Sequence, residues 1–389
     1  MSTVIAVVSL ELPAAASTAS WSSVVTPNPS GSDSFLYSVS CVGPSFCVAV
    51  GATSTGSATD TLIESWNGSS WSTMSSPDDS STMNYLEGVS CKSTTFCVAV
   101  GFENYPTPEP DPLIDTWNGS SWSASSAAVP TSNKSYLDAV SCTSSTSCEA
   151  VGYYSTNSET YTLVETLTGS SWSPPITVNP SSSYNYLGAV SCMSASHCIA
   201  VGNYTNGSTE DALEESWNGS TWSTQQAASP SSTYNALQGI SCTSTTACTA
   251  VGVSYNSSVA ESLVESWNGS SWSTVSSADP SGTYNYLGGV YCTSSTACTA
   301  VGVSYNASST PQTLVETPSG TSPTPAITSF SPGSGPVGTK VTITGTNLNG
   351  ATQVTFDGMS ATISKDAAGK IQVTTSTGTA KSASNFTVT

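Results

Sequence analysis

The chain of 389 residues contains no arginine, a single histidine (His197) and six lysines, set against 25 carboxylates. What is missing removes whole classes of chemistry. Arginine is the usual two-pronged grip on a carboxylate or a phosphate. Residues 21–320 hold nearly all the acid, opposed there only by Lys92 and Lys134. A field of that sign repels phosphate backbones and anionic lipid headgroups, so nucleic acid is not expected as a partner. One histidine leaves no Ser-His-Asp triad to build, and no glycine-rich phosphate loop opens a helix. No stretch is apolar enough for long enough to span a membrane, and none keeps a 3.6-residue period through three turns. The expectation is a monomer without metal or cofactor that does not insert into a membrane.

What is present is a repeat. "TLIESWNGSSWST" (61–73) returns in close variants that begin at Leu113, Leu163, Leu213 and Leu263. Cysteines fall in pairs: Cys41 with Cys47, Cys91 with Cys97, Cys142 with Cys148, Cys192 with Cys198, Cys242 with Cys248, and Cys292 with Cys298. The pairs mark six units. Each unit holds four short runs that alternate apolar and polar residues between Ser, Gly, Asn and Pro clusters; in the second unit these are "NYLEGVSC", "FCVAVG", "PLIDTWNG" and "SSWSAS". Alternation bounded by turn residues predicts strands, and four strands per unit in six units predicts a β-propeller. The sixth unit, "TLVETPSG" from Thr313, stops before its tryptophans. The missing fourth strand is found at the other end of the chain as "SWSSVV", where Trp21 matches Trp71, Trp122, Trp172, Trp222 and Trp272. The predicted fold is therefore all-β: a six-bladed, four-stranded propeller over residues 20–318, closed by the N-terminal strand so that no sheet edge stays open. Residues 1–19 read as a signal-like segment without the usual basic start.

A Cys-x5-Cys hairpin brings its two sulfurs within bonding reach, so six local disulfides and an oxidising compartment, secreted or at the cell surface, are expected. Zinc is disfavoured, since it asks for four ligands at shorter spacings. The recurrent tryptophans read as packing between blades. Their Asn-Gly links read as tight turns. The recurrent acids Glu64, Asp115, Glu165, Glu215, Glu265 and Glu316 should lie between blades and accept hydrogen bonds there, because catalysis breaks symmetry and these do not. Asymmetric acids are better candidates. After the leucine of each first strand the chain has Tyr37, Glu87, Asp138, Gly188, Gln238 and Gly288. Glu87 and Asp138, on adjacent blades, form a pair of the kind a glycoside hydrolase uses; solvated channel residues are the plainer alternative. His197 reads as a loop residue. The loops on one face are rich in Tyr and Asn: Tyr153, Tyr154, Tyr204, Tyr255 and Tyr305 follow the second strands, while Tyr184, Asn185, Tyr186, Tyr234, Tyr284, Asn285 and Tyr286 precede or open the first strands. Such a rim suits sugars or a protein surface.

The repeat resembles the Kelch and galactose-oxidase-like propellers, whose unit runs through a strand ending in Gly-Gly, a strand ending in Tyr-Asp and a strand opening with Trp. Here "AVG" stands at the double-glycine place, and Trp66-Asn67 followed by Trp71 at the Tyr-Asp and Trp places; Leu167 replaces the first Trp in the third unit. The chain lacks the two histidines of galactose-oxidase copper and the arginines by which six-bladed sialidases hold their substrate, so neither activity carries over. It is more similar still to a serine-rich, "WNGSSW"-bearing repeat of secreted bacterial proteins. A second resemblance begins at Pro325: "PAITSFSPGSGPVGTKVTITGTNLNGATQVTF" and "GTAKSASNFTV" are similar to the opening and closing strands of an IPT/TIG domain, an immunoglobulin-like β-sandwich, which implies such a domain over 326–389 after a linker at 319–325. Together these readings imply an exported, non-catalytic binding or adhesion protein whose partner is a glycan or an extracellular protein. The alternatives are a structural surface module without a specific ligand, and a glycosidase using Glu87 and Asp138.

Overall fold

The structure, a computed structural model, describes residues 26–27, 33–54, 56, 58–77, 83–103, 110–126, 134–156, 158–173, 179–225, 227–231, 233–256, 259–277, 279, 284–305, 310–318, 326–332, 339–346, 354–356, 359–367, 370–374 and 386–388. Every regular element among them is a strand. Two compact units separate, one spanning Val24–Pro318 and the other containing Ser319–Thr389.

The larger unit is a propeller of six antiparallel blades. Its first strands are Ser34–Gly43, Asn84–Ser93, Lys134–Ser144, Asn185–Ser194, Tyr234–Ser244 and Tyr284–Ser294, and first strands of successive blades lie against one another, so they line the axis. Each is followed outward by a second and a third strand, and in blades one to five by a short fourth strand at Trp71–Met74, Trp122–Ser126, Ser171–Trp172, Trp222–Gln225 or Trp272–Thr274. The sixth blade ends at its third strand, Pro311–Glu316. The strand expected to complete it, residues 20–25, and the signal-like segment lie outside the described residues.

One glycine per blade sets the geometry of the inner strands. A Cβ added at Gly51, Gly101, Gly152, Gly202, Gly252 or Gly302 would meet a first-strand carbonyl oxygen, that of Tyr85 at 1.8 Å and that of Tyr136 at 2.1 Å being the extremes of the set. Only glycine permits this approach. Opposite each glycine the first strand carries a one-residue bulge, for example between Leu86 and Gly88 or between Leu187 and Ala189. The residue left over by the bulge is the one after the leucine, which is Glu87 in the second blade and Asp138 in the third.

All six expected disulfides are formed, each between directly opposed residues of the first and second strands. They join Cys41 to Cys47, Cys91 to Cys97, Cys142 to Cys148, Cys192 to Cys198, Cys242 to Cys248, and Cys292 to Cys298, with Cα atoms 3.9 to 4.0 Å apart. Their second-strand members, Cys47, Cys97, Cys148, Cys198, Cys248 and Cys298, are all buried, at most 8% exposed. The sulfurs therefore belong to the packed interior of the hairpins and not to a binding surface, and no cysteine is left free.

Joints between blades are apolar and directional. Val100 and Ile114 of the second blade pack on Leu137 and Val140 of the third, Val151 and Val164 of the third on Leu187 and Val190 of the fourth, and Val251 of the fifth on Leu287 of the sixth. Each of these leucines is at most 1% exposed, and burying one contributes about 1.5–3 kcal/mol. A polar stitch repeats beside them: the backbone N–H of Cys91, Cys142, Cys192, Cys242 and Cys292 donates to Ser40, Ser90, Ser141, Ser191 and Ser241 Oγ of the preceding blade, at 2.9 to 3.1 Å. The sixth blade has Tyr291 at the serine position, 71% exposed. The outward faces of the terminal blades are likewise open, with Leu36 and Val39 of the first blade 39% and 60% exposed and Val301 and Val315 of the sixth 51% and 62% exposed.

The tryptophan pairs meet at a tilt of 35° to 46° within a blade, ring centroids 5.6 to 5.8 Å apart, and join the clusters at the joints. Trp66, Trp117, Trp217 and Trp267 also donate their indole N–H to a carbonyl in the turn between the first two strands of their own blade, that of Pro44, Thr94, Ala195 and Thr245 respectively. The Asn-Gly links are turns with positive φ at Gly68, Gly119, Gly219 and Gly269, and Asn67 Oδ1 accepts from Ser69 and Ser70. In the smaller unit, six strands between Ala326 and Val388 form an immunoglobulin-like sheet arrangement with Val341, Ile343 and Val373 buried.

One joint departs from the pattern. On the third strand, Ile63, Ile114, Val164 and Val264 occupy the position that Glu214 holds in the fourth blade. Glu214 is fully buried, neither of its carboxyl oxygens meets a donor among the described residues, and it faces Glu265 of the fifth blade. Burial, and then the Glu265 charge, holds Glu214 far above the ordinary carboxylate range. The native state therefore keeps a proton that the unfolded chain gives up, and stability falls as pH rises above that ordinary range. Glu214→Val is expected to raise stability by about 1–3 kcal/mol at neutral pH, with a gain that grows in alkali, measured as urea midpoints at pH 5, 7 and 9. Gly152→Ala is expected to lower stability by about 1–3 kcal/mol or more through overpacking against the Tyr136 carbonyl, read from the same titrations.

Candidate functional site

Alternation along the first strand puts the residue after each leucine on the same face as the residues one and three positions before that leucine, and this face lines the axis; the bulge that follows lets the leucine and the apolar residue three positions on, such as Leu137 and Val140, both face the joint. Second-strand partners of the axial residues share the axial face. A continuous aromatic ladder results: Tyr85 stacks on Phe102 (4.9 Å between centroids), Phe102 meets Tyr136 edge-on (4.9 Å), Tyr136 stacks on Tyr153 (4.7 Å) and Tyr153 tilts against Tyr186 (5.4 Å). It crosses the second, third and fourth blades. A second ladder of edge-on contacts, Tyr234 to Tyr255 to Tyr284 to Tyr305, crosses the fifth and sixth at spacings of 5.0 to 6.3 Å. Between the two blades of this second ladder, Tyr234, Tyr255, Tyr284, Tyr286, Val253 and Gln238 line an open cavity of about 410 Å³.

Glu87 and Asp138 sit at equivalent bulges of adjacent blades beside the first ladder. Burial raises both, and the neighbouring Glu87 charge adds to the rise of Asp138, which reaches about 7. Asp138 Oδ2 is buried without a hydrogen-bond partner. The tyrosine hydroxyls around them are pushed up as well, Tyr153 and Tyr186 first by burial and then by Asp138, and Tyr234 to about 12 by burial and then by Glu210. Tyr286 acts on both Tyr186 and Tyr234, so the two ladders face one electrostatic space.

Of the twelve residues expected to form the binding rim, Tyr153, Tyr184, Tyr186, Tyr234, Tyr255, Tyr284, Tyr286 and Tyr305 share this axial face. Tyr154 does not; it stacks on Tyr161 at 5.1 Å on the opposite side of its strand. Tyr204, one residue beyond the axial position, joins the joint cluster of the fourth blade. Asn185 and Asn285 are corrected outright, since they are 0% and 1% exposed. Asn185 Oδ1 accepts from Ser181 N–H while its amide donates to the carbonyls of Thr160 and Ser181, which clasps the fourth blade to the third. Asn235 makes the same clasp one blade on. Tyr85, Phe102 and Tyr136 were not anticipated, although counting two residues back from Glu87 and Asp138 would have found the first and third; Gln238 was expected on the axial strand but not in the rim.

Of the symmetric acids Glu215, Glu265 and Glu316 accept hydrogen bonds, whereas Glu64, 1% exposed, meets no donor among the described residues. Glu265 Oε2 accepts from Ala228 N–H at 3.0 Å, in the connection from the blade before, and Glu316 accepts from Ser277 Oγ at 2.7 Å in the next such connection. His197 opens an exposed strand end, its Nδ1 3.3 Å from Ser196 Oγ. Among the described residues no group of three or more His, Cys, Asp or Glu is disposed to hold a metal ion, and no helix is long and apolar enough to cross a membrane.

Residues 325–389 match the family model for the IPT/TIG domain. Solved structures similar to the chain include YCF48 bound to a D1 peptide (10% identity over 89% of this chain and 93% of that one, TM-score 0.47). The lectin of Aleuria aurantia in complex with Fucα1-6GlcNAc is another (11%, 72% and 90%, 0.41), as is a PL25 ulvan lyase (9%, 66% and 73%, 0.43). No curated protein sequence matches the chain.

The raised acids fix a pH dependence. Asp138 and Glu149 stand at about 7 and Glu215 at about 8, in each case chiefly through burial. A folded-state value above the unfolded one means that the native state binds more protons, so stability is greatest below the ordinary carboxylate range and is lost as pH rises to about 8. Thermal melts from pH 4 to 9 should show melting temperature declining across that window, and Asp138→Asn should flatten the part of the decline near neutrality.

Proposed function

We propose that the protein is an exported binding protein whose propeller holds a glycan on its axial tyrosine face, with the IPT/TIG domain after a linker at 319–325 as spacer. The repeat is best read as a Kelch-like variant in which one glycine does the work of two. The observation that carries the glycan reading is the cavity of about 410 Å³, walled by four tyrosines around the Gln238 amide. Tyrosine offers flat apolar area with a polar tip, which fits the faces and hydroxyls of a pyranose, and an amide supplies both donor and acceptor. Six disulfides support an oxidising compartment. Glycan-array binding by the full chain, with affinity lowered about 10-fold or more by Tyr284→Ala, is the expected result. Absence of binding to every glycan and to cell envelopes would leave only the structural-module reading.

A second reading rests on the carboxylate pair. Asp138, raised to about 7 by burial and then by the neighbouring Glu87 charge, is suited to the part of a general acid in glycoside hydrolysis. That reading requires turnover of aryl glycosides by the full chain, abolished in both Asp138→Asn and Glu87→Gln; binding without turnover removes it.

A further inference from the structure

Among the described residues, the acidic half of the axial face lacks a counter-charge. Glu87 and Asp138 lie close enough for one to raise the other, and the Asp138 Oδ2 is buried with no donor to meet it. The propeller has only two lysines. Lys92 is exposed on the far side of its strand's cysteine, and Lys134, also exposed, precedes Asp138 by four residues, about 13 Å of extended strand. The one charge acting on Asp138 is another negative one. Asp138 acts on the hydroxyls of Tyr153 and Tyr186, two rings of the first ladder, and aromatic rings favour a nearby cation.

We infer that Glu87 and Asp138 seat a protonated amine carried by the glycan, so that the ligand is an amino sugar with its amine free. This assignment rests on the glycan reading and narrows it. The tyrosine cavity and the Gln238 amide of the fifth and sixth blades take uncharged ring faces and hydroxyls, while the carboxylates of the second and third blades take the charge. A lysine side chain would satisfy the carboxylates but leave the tyrosine cavity unused, whereas a pyranose chain spans both.

The test is calorimetric titration of the full chain with two probes that differ in one group, a β-1,4-linked glucosamine oligomer and its N-acetylated counterpart. The free-amine probe is expected to bind at least about 10-fold more tightly, to lose that advantage as salt is raised, and to become equal to the acetylated probe in Asp138→Asn and in Glu87→Gln. Tyr284→Ala, remote from the carboxylates, should weaken both probes together. A folding defect would also lower both together, so the ratio between probes is the quantity that decides. Equal affinity of the wild type for the two probes overturns the ammonium assignment and leaves the glycan reading standing. Failure of the glucosamine oligomer to bind, or tighter binding of a lysine-containing peptide than of the sugar, overturns it too; failure of both probes and of the whole array removes both readings.

Discussion

Every blade of this propeller depends on the contact between a second-strand glycine and a first-strand carbonyl oxygen. The two strands are so close there that a methyl group would fall about 2 Å from the oxygen. The chain accommodates this approach with a bulge, at which the residue after the leucine, axial by alternation, is left without a partner on the second strand. Without the bulge, the residues that follow would change face, and Val89 and Val140 would leave the joints that they share with Leu86 and Leu137. A backbone constraint thus precedes the site chemistry: the same bulge carries acids in two blades, Gln238 in another and glycine at Gly188 and Gly288.

Polarity in the sequence is consumed mostly at the joints. A serine per blade accepts the next blade's cysteine N–H, an asparagine clasps the previous blade's third strand, and a carboxylate meets the connection that arrives from it. These groups are buried because the joints are buried, and being paired they cost little. That is why so polar a chain still forms a core, and why its asparagines are poor guides to a binding surface. Glu64 and Glu214 are exceptions, buried with neither carboxyl oxygen meeting a donor among the described residues, and Glu214 is kept neutral by burial beside Glu265.

The fold was largely legible in the sequence because repetition multiplies weak signals. Four ambiguous runs become a blade when they recur six times, and the paired cysteines fix where each hairpin turns. The site was legible only in part. Glu87 and Asp138 stood out by breaking symmetry, and the structure brings them onto one face. Tyr153 and Tyr154 read as loop residues but lie on a strand, so they look to opposite sides, and Asn185 is interior because its amide is used to clasp the blade before it. Tyr85, Phe102 and Tyr136 were hidden because strand aromatics read as packing until their common face is known.

The open faces of the two terminal blades bear on how the chain acquires its structure. Each joint has a front and a back, so the Val301 and Val315 face of the sixth blade and the Leu36 and Val39 face of the first are two halves of one kind of surface. Joints within the chain close loops of about 50 residues, while contact between Val39 and Val301 closes one of about 260, which costs about 1.5 kcal/mol more in chain entropy. During synthesis the first face emerges early and waits through five further blades for its counterpart. In that interval another molecule's sixth blade is an equally good fit, so the balance between a self-contained molecule and a head-to-tail chain of molecules is set by concentration and by the speed of synthesis.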